Sequence, residues 1–158
     1  MPARQRFIVK PDPRRVGVVG FSAGGHLAAW VSTAVGKRSY KAADEIDKAS
    51  CAADFAVVLY PYGIINFHSQ RYDPNLRVVA GTPPTFLVVA SDDDFCDENA
   101  VAYYRALKRG KIPVELHIYE TGGHSFALRQ TGKPSATWPK RCEEWMKHRG
   151  LFKAAGNR

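Results

Sequence analysis

The sequence predicts an α/β fold, in which a mostly parallel sheet of about four strands lies between helices in a three-layer α/β/α arrangement. Short apolar runs rich in valine alternate along the chain with longer segments that have helical spacing. The apolar runs show little polar alternation, which is typical of strands covered on both faces. Because strands that alternate with helices pair in parallel, we expect helices on both faces of the sheet.

The predicted strands are short and consist mainly of Val, Leu, Ile, Phe and Ala. They span residues 16–21, 55–60, 85–90 and 114–119. Pro61 ends the second strand, and Pro83-Pro84 precedes the third, because proline has no N–H to offer to a strand ladder. The fourth strand alternates apolar and polar residues from Val114 onwards.

Three segments have the spacing of helices that bury one face. They span residues 24–35, 98–109 and 138–148. Gly36 and Gly110 follow the first two segments, at the position where glycine commonly ends a helix. The last segment carries an apolar stripe that we expect to be core, namely Trp138, Cys142, Trp145 and Met146. Residues 62–81 are polar and rich in turn residues, which predicts an irregular connection.

Residues 1–158 are expected to form a single domain, since the composition is that of an ordinary globular protein, 45% hydrophobic and 24% charged. The net charge of +8 comes from scattered lysines and arginines, so we expect a solvated surface and no nucleic-acid partner. No run approaches the ~18 apolar residues of a membrane span. Residues 1–10 lack the apolar core of a signal peptide, which predicts a cytoplasmic chain as given, with export open to a longer form.

Cysteine and histidine spacing predicts neither a disulfide framework nor a metal site. The cysteines are far apart, at Cys51, Cys96 and Cys142. An odd number without a CxxC pair favours reduced thiols, although one bridge is compatible with it. Four histidines show no metal-ligand spacing on one face, namely His26, His68, His117 and His148. We therefore expect no metal and no cofactor.

The segment Gly20-Phe21-Ser22-Ala23-Gly24 has the pattern Gly-x-Ser-x-Gly, follows a predicted strand and opens a predicted helix. This is the context of a serine-hydrolase nucleophile elbow, a tight turn that raises the serine hydroxyl above the sheet edge. Side chains two positions from Ser22 would clash there, so Gly20 and Gly24 are expected to be required. The N–H of Ala23, at the helix N-terminus, is the predicted oxyanion donor. The alternative is a chance glycine-rich turn.

A serine hydroxyl is a weak nucleophile at neutral pH and needs a base. The loop after the fourth predicted strand carries Gly122-Gly123-His124, in which the two glycines would let the chain bend back over the sheet edge. We predict that His124 is the base for Ser22. The alternative is an ordinary surface histidine.

The turn after the third predicted strand carries three consecutive aspartates, Asp92, Asp93 and Asp94. This turn and the histidine loop both follow the carboxyl ends of strands, where open α/β sheets place their ligands. Nucleophile-elbow hydrolases have the chain order serine, acid, histidine. The residues thus predict that one of the three aspartates is the acid.

Four segments in this order resemble a known family. GFSAGGHLAA is followed by TPPTFLVVASDDD, by ENAVAYYRALKRGKIPVELHIYETGGHSFALR and by WPKRCEEW. This succession resembles the α/β-hydrolase family that contains acetylxylan-esterase-like and feruloyl-esterase-like enzymes and is grouped with dienelactone-hydrolase-like proteins. The resemblance extends from about Asp12 to Leu151 and is specific for the family, not for a substrate.

The resemblance implies that Ser22 is the nucleophile, His124 the base and Asp93 the acid, with Asp92 and Asp94 as fallbacks. It implies hydrolysis of carboxylic esters, typically acetyl or aromatic acyl groups on carbohydrates, through an acyl-enzyme. The expected partner is therefore a small ester or an acylated carbohydrate. One alternative is a weak or inactive remnant that binds a partner or has a structural role. A serine peptidase of the same fold is a lower-ranked alternative.

Members of this family carry a long segment before the elbow strand, and a glycine-rich loop in it supplies a second oxyanion donor. The resemblance therefore implies a truncated domain, the C-terminal portion of an α/β-hydrolase fold. The elbow strand would then be a sheet edge, so we expect a homo-oligomer through that edge or marginal stability. Tyr60, Tyr62 and Phe126 are candidates for lining the acyl site, and packing explains them equally well.

Overall fold

The computed structural model describes residues 12, 14–66 and 68–152, so the expectations for residues 1–10 lie outside the described part. The strands are β1 (Gly17–Phe21), β2 (Phe55–Leu59), β3 (Thr85–Ala90) and β4 (Val114–Tyr119). The α-helices are α1 (Ala23–Ala34), α2 (Asp97–Arg109) and α3 (Trp138–His148). Short 3-10 helices span Glu45–Lys48 and Pro134–Thr137. None of the described helices combines the length and apolarity needed to cross a membrane.

The predicted strands and helices are confirmed to within one residue at each end. The described residues of segment 62–81 form neither a helix nor a strand, apart from one antiparallel bridge between Ile65 and Tyr72. The hydrophobic pattern does not predict the two 3-10 helices. Asp44 begins the first of them by accepting the N–H groups of Ile46 and Asp47, a capping signal that apolar spacing does not register.

The four strands form one parallel sheet in the order β1-β2-β3-β4. The last residues of the strands lie close to the same level, because Phe21 pairs with Leu59, Leu59 with Val88, and Ala90 with Tyr119. Parallel pairing therefore gathers the segments that follow all four strands at one edge of the sheet, the edge at which ligands bind in open α/β folds.

Helices cover both faces of the sheet, as predicted. In β2, Phe55 and Leu59 belong to the same buried cluster as Trp145 of α3, whereas Val58 packs with Leu107 of α2. Successive residues of a strand point to opposite faces, so the all-apolar β2 fills both layers of the core. The stripe of α3 is confirmed as core, since three of its residues are buried and the fourth packs on them: Trp138, Cys142, Trp145 and Met146.

Within the described part of the chain, β1 lies at one edge of the sheet and β4 at the other. Val16 C=O and Ser22 N–H form hydrogen bonds on the β2 side. In a parallel ladder the intervening residues turn their backbone groups the other way, so the N–H and C=O groups of Gly17, Val19 and Phe21 point away from the sheet. The Val19 side chain is 52% exposed.

The turn between β1 and α1 depends on two close backbone approaches. A Cβ atom at Gly20 would overlap the carbonyl of Gly24 and the Cβ of Ala28, so the predicted requirement for glycine at this position is confirmed. The same expectation for Gly24 is wrong, because a Cβ there would meet no atom within 4 Å. The second close approach belongs to Gly25, where a Cβ would lie 3.0 Å from the Leu59 carbonyl oxygen at the end of β2.

The two glycines of the motif provide a matched pair for stability measurements. Gly20→Ala should lower the free energy of unfolding by about 1–3 kcal/mol, since the added methyl group forces the turn and α1 apart. Gly24→Ala should be neutral or stabilise by up to about 1 kcal/mol, because it replaces an exposed helical glycine with the best helix former. Urea unfolding followed by circular dichroism measures both. Equal destabilisation by the two substitutions would contradict this account of the turn.

Candidate active site

Ser22 lies in the turn between β1 and α1, with φ 54° and ψ −121°. A non-glycine residue with positive φ costs of order 1–3 kcal/mol and persists only where its surroundings hold it. Here the Ser22 N–H donates to Leu59 C=O, and the Ser22 C=O accepts the N–H groups of His26 and Tyr62, each at 3.1 Å. The backbone is thus fixed from β2 and from α1. The hydroxyl forms no cap hydrogen bond with the helix, which leaves it available for other contacts.

His124 lies in the loop after β4, and its Nε2 is 2.8 Å from Ser22 Oγ. The loop bends sharply, with φ 64° at Gly123 and φ 65° at Ser125. Phe126 anchors the loop from below, since it is buried and packs against the Tyr60 ring at 4.8 Å between centroids. The loop therefore places the imidazole across the sheet edge, beside the hydroxyl at the end of β1.

Asp93 lies in the turn after β3 and is only 2% exposed. Its Oδ2 atom is 2.8 Å from His124 Nδ1. Neither neighbouring aspartate contacts the ring in the described part of the chain. Asp92 accepts backbone N–H groups of the histidine loop, and Asp94 is exposed to solvent. The side chains brought together are therefore Ser22, Asp93 and His124.

The hydrogen bonds assign the protons within this group. A buried carboxylate accepts, so His124 Nδ1 carries its hydrogen toward Asp93. Nε2 is then the unprotonated nitrogen and accepts the hydrogen of the Ser22 hydroxyl. An imidazole in this tautomer can take the hydroxyl proton, and the carboxylate on its far side stabilises the imidazolium that results.

Cys96 is a residue of the site that sequence analysis did not find. It is fully buried, and its Sγ is 3.6 Å from His124 Nδ1. Among the described residues, one group has ligand atoms close enough to share a metal ion, all within 4.8 Å: Asp93, Cys96 and His124. Metal binding would require the thiolate, whereas burial raises the pKa of Cys96 to about 12. The same nitrogen already donates to the carboxylate, so the arrangement favours hydrogen bonding over metal ligation.

Ala23, the predicted oxyanion donor, is the first residue of α1. Backbone N–H groups in the first turn of a helix have no partner within the helix, and the positive end of the helix dipole adds to their preference for anions. This position directly after Ser22 is compatible with an oxyanion donor, and the assignment stays a prediction.

Tyr60, Tyr62 and Phe126 differ in their surroundings. Tyr60 and Phe126 are buried in the core, and burial raises the pKa of Tyr60, so its phenol stays neutral. Tyr62 is exposed and lines an open cleft of about 550 Å³ together with Asn66 and Asp73. The Tyr62 N–H bonds to the Ser22 carbonyl, whereas the residues that line this cleft include none of Ser22, Asp93 and His124.

Two histidines outside this group pair with carboxylates. His26 Nε2 is 3.2 Å from Asp73 Oδ2, a contact that links α1 to the segment after β2. His117 Nε2 is 2.7 Å from Glu115 Oε1 on the same strand. Both contacts account for these histidines without a bound ligand.

The sequence profile of the dienelactone hydrolase family matches residues 5–156. The chain belongs to the dienelactone hydrolase family. An acetylxylan esterase from Xylanibacter ruminicola is 28% identical in an alignment 141 residues long that covers 74% of this chain and 27% of that protein. The predicted family resemblance is thereby confirmed.

Solved structures show the same fold. A bifunctional acetyl ester-xyloside hydrolase from Caldicellulosiruptor lactoaceticus is 34% identical with a TM-score of 0.76, over 90% of this chain and 59% of that one. A carboxylesterase from Lactobacillus plantarum is 21% identical with a TM-score of 0.72, over 90% of this chain and 62% of that one. This member of the dienelactone hydrolase family thus spans about three fifths of these structures and about a quarter of the curated relative.

All three cysteines are free thiols, as the sequence predicts, and their reactivity should differ sharply. Burial raises the pKa of Cys96 to about 12 and of Cys142 to about 11, so both stay protonated and shielded at pH 8. Only exposed Cys51 should react rapidly with the disulfide reagent DTNB in the native protein, and all three should react in denaturant. Rapid modification of the native Cys51→Ser variant would contradict the burial of Cys96 beside His124.

Proposed function

We propose that this chain is a serine esterase that hydrolyses carboxylic esters through Ser22, His124 and Asp93. The observation that carries the proposal is the continuous set of short contacts from Ser22 Oγ through both nitrogens of His124 to the buried Asp93 carboxylate. Membership in the dienelactone hydrolase family supports ester hydrolysis as the reaction class.

The proposed reaction has two steps. His124 Nε2 removes the hydroxyl proton while Ser22 Oγ attacks the ester carbonyl, and the tetrahedral intermediate collapses as the protonated imidazole gives that proton to the leaving alcohol. Water then attacks the acyl-serine, with His124 first accepting a proton from the water and then returning it to Ser22 Oγ. Asp93 keeps the ring oriented and stabilises its positive charge in both steps.

The Ala23 N–H is the proposed oxyanion donor from this chain. Esterases with this elbow use a second N–H from the loop after an earlier strand. Removal of one oxyanion donor typically lowers kcat by about 10²–10³-fold. A chain that supplied the Ala23 donor alone would therefore hydrolyse esters at a rate reduced by that factor.

The proposed substrates are acetylated or otherwise acylated carbohydrates. Support comes from the relatives, one of which is an acetylxylan esterase and another an acetyl ester-xyloside hydrolase. We assign the alcohol portion of the ester to the cleft lined by Tyr62 and Asn66, because the Tyr62 N–H bonds to the Ser22 carbonyl. An aromatic ring with amide groups nearby suits a sugar, which has apolar faces and hydroxyl edges.

The second candidate function is a binding or structural module without turnover. The edge position of β1, the strand that precedes Ser22, favours this function, because its open backbone groups can pair with a strand of a partner.

Hydrolysis of p-nitrophenyl acetate and labelling by a fluorophosphonate probe separate these two functions. Ser22→Ala should abolish labelling and lower kcat/KM to the uncatalysed background, and Asp93→Asn should lower kcat by about 10³–10⁴-fold because the wrong histidine tautomer is favoured. Asp94→Asn is the matched control and should retain activity, since Asp94 is exposed and does not contact the ring. Equal inertness of the wild type and Ser22→Ala would refute the esterase proposal for this chain.

We also propose that two copies associate through β1. The outward backbone groups of Gly17, Val19 and Phe21 can pair with another strand, and a second copy offers the same edge about a two-fold axis. Val16, directly before β1, and Leu27 and Trp30 of α1 are exposed apolar residues. Antiparallel pairing of the two β1 strands would cover apolar surface and backbone together.

Sedimentation velocity across a range of concentrations tests this association. The wild type should form dimers, and Val19→Lys should shift the protein to monomers, since an edge lysine opposes strand addition. Ile118→Lys is the control, because Ile118 lies on the opposite edge strand and is 48% exposed. A wild type that stays monomeric at all concentrations, or equal effects of the two lysines, would overturn the proposal.

A further inference from the structure

We propose that Asp92 is a positioning residue for His124, because its carboxylate holds the backbone of the histidine loop. Asp92 Oδ1 accepts the N–H of Gly122 at 2.8 Å and the N–H of Gly123 at 2.6 Å. The effect on turnover rests on the proposed esterase function, whereas the contact itself does not depend on it.

The two hydrogen bonds join an ionised acceptor to consecutive backbone donors. Hydrogen bonds from the N–H of Gly123 and the N–H of Gly122 hold the pKa of Asp92 below its usual range, with a further contribution from the charge of Lys133. Asp92 therefore remains a carboxylate at neutral pH, and charge-assisted bonds of this kind are stronger than those between neutral groups.

The histidine loop needs support from outside itself. It contains no helix or strand between β4 and Pro134–Thr137, and positive φ angles occur at Gly123, Ser125 and Ala127. A Cβ at Gly122 would lie 2.8 Å from the Cβ of Ala90, so the loop rests directly on the end of β3. The turn that follows this strand end carries Asp92, which explains how the carboxylate reaches the loop.

Adjacent aspartates thus hold the loop at two points. Asp93 binds the ring of His124, and Asp92 binds the backbone just before it. The contact with Asp93 sets the orientation of the His124 ring about its side-chain bonds. The contact of Asp92 with the backbone sets the position of His124 above the sheet edge. Both are needed to keep Nε2 at hydrogen-bond distance from Ser22 Oγ.

Kinetics of three variants distinguish positioning from a charge effect. Asp92→Ala should lower kcat by about 10–100-fold with KM changed less than about 2-fold, because a displacement of about 1 Å at a reacting group can cost 10²-fold. Asp92→Asn keeps an oxygen acceptor without the charge and should recover most of kcat. Asp94→Ala, which removes an exposed neighbouring carboxylate, should match the wild type.

The pH profile of kcat separates positioning from a direct effect of the Asp92 charge on the imidazole. If Asp92 acted through its charge on the imidazole, both Asp92 variants would shift the midpoint of the acidic limb equally. Positioning instead predicts that the two variants differ in the height of the plateau. Full activity of Asp92→Ala, or equal losses in Asp92→Ala and Asp92→Asn, would overturn the proposal.

Amide hydrogen exchange tests the contact without an activity assay. In the folded wild type, the N–H groups of Gly122 and Gly123 should be protected, and Asp92→Ala should lose this protection while β3 and β4 retain theirs. Rapid exchange of both amides in the folded wild type would contradict the proposal, even if Asp92→Ala did not fold. If the wild type proves as inert as Ser22→Ala, the esterase function fails, and the exchange measurement still decides the role of Asp92.

Discussion

Parallel pairing of the four strands is the constraint on which the candidate site depends. Neighbouring strands in a sheet lie about 4.8 Å apart, so the end of β4 is about 14 Å from the end of β1. Ser22 follows β1 directly, whereas His124 has to reach back across β3 and β2 to meet it. The glycine-containing loop spans this distance. It can do so because all strands end at the same sheet edge.

The turn after β3 provides hydrogen-bond partners for the buried Asp93 carboxylate, which lies beside the imidazole of His124. A carboxylate without partners would be costly to bury. Asp93 has the ring nitrogen of His124 and, at 3.4 Å, the N–H of Phe95 as partners. The buried Cys96 thiol, whose pKa burial raises to about 12, lies 3.6 Å from the same ring nitrogen. The Nδ1 side of the imidazole thus faces two buried groups, Asp93 and Cys96, while His124 itself is exposed at the surface.

Ser22, the proposed nucleophile, directly follows β1, so the geometry of its turn depends on contacts from β2. The positive φ of Ser22 is maintained by hydrogen bonds to Leu59 and Tyr62, and Gly25 lies close to the end of the same strand. On the side away from β2, the backbone N–H and C=O groups of β1 form no strand pairing within the described part of the chain. Anything that pairs with this edge would also stiffen the strand that carries Ser22, which couples association to the geometry of the candidate site.

The sequence by itself determined the strands and helices and the place of Ser22 and His124 after strand ends. These features follow from local periodicity and turn chemistry, which are properties of short segments. Only the tertiary structure decided which aspartate meets His124, since three consecutive carboxylates differ in direction and burial, not in composition. The structure also shows that Gly25, and not Gly24, lies in close contact with β2, and that Cys96 lies beside the His124 ring. Such contacts join segments distant along the chain, and no local pattern encodes the packing that sets them.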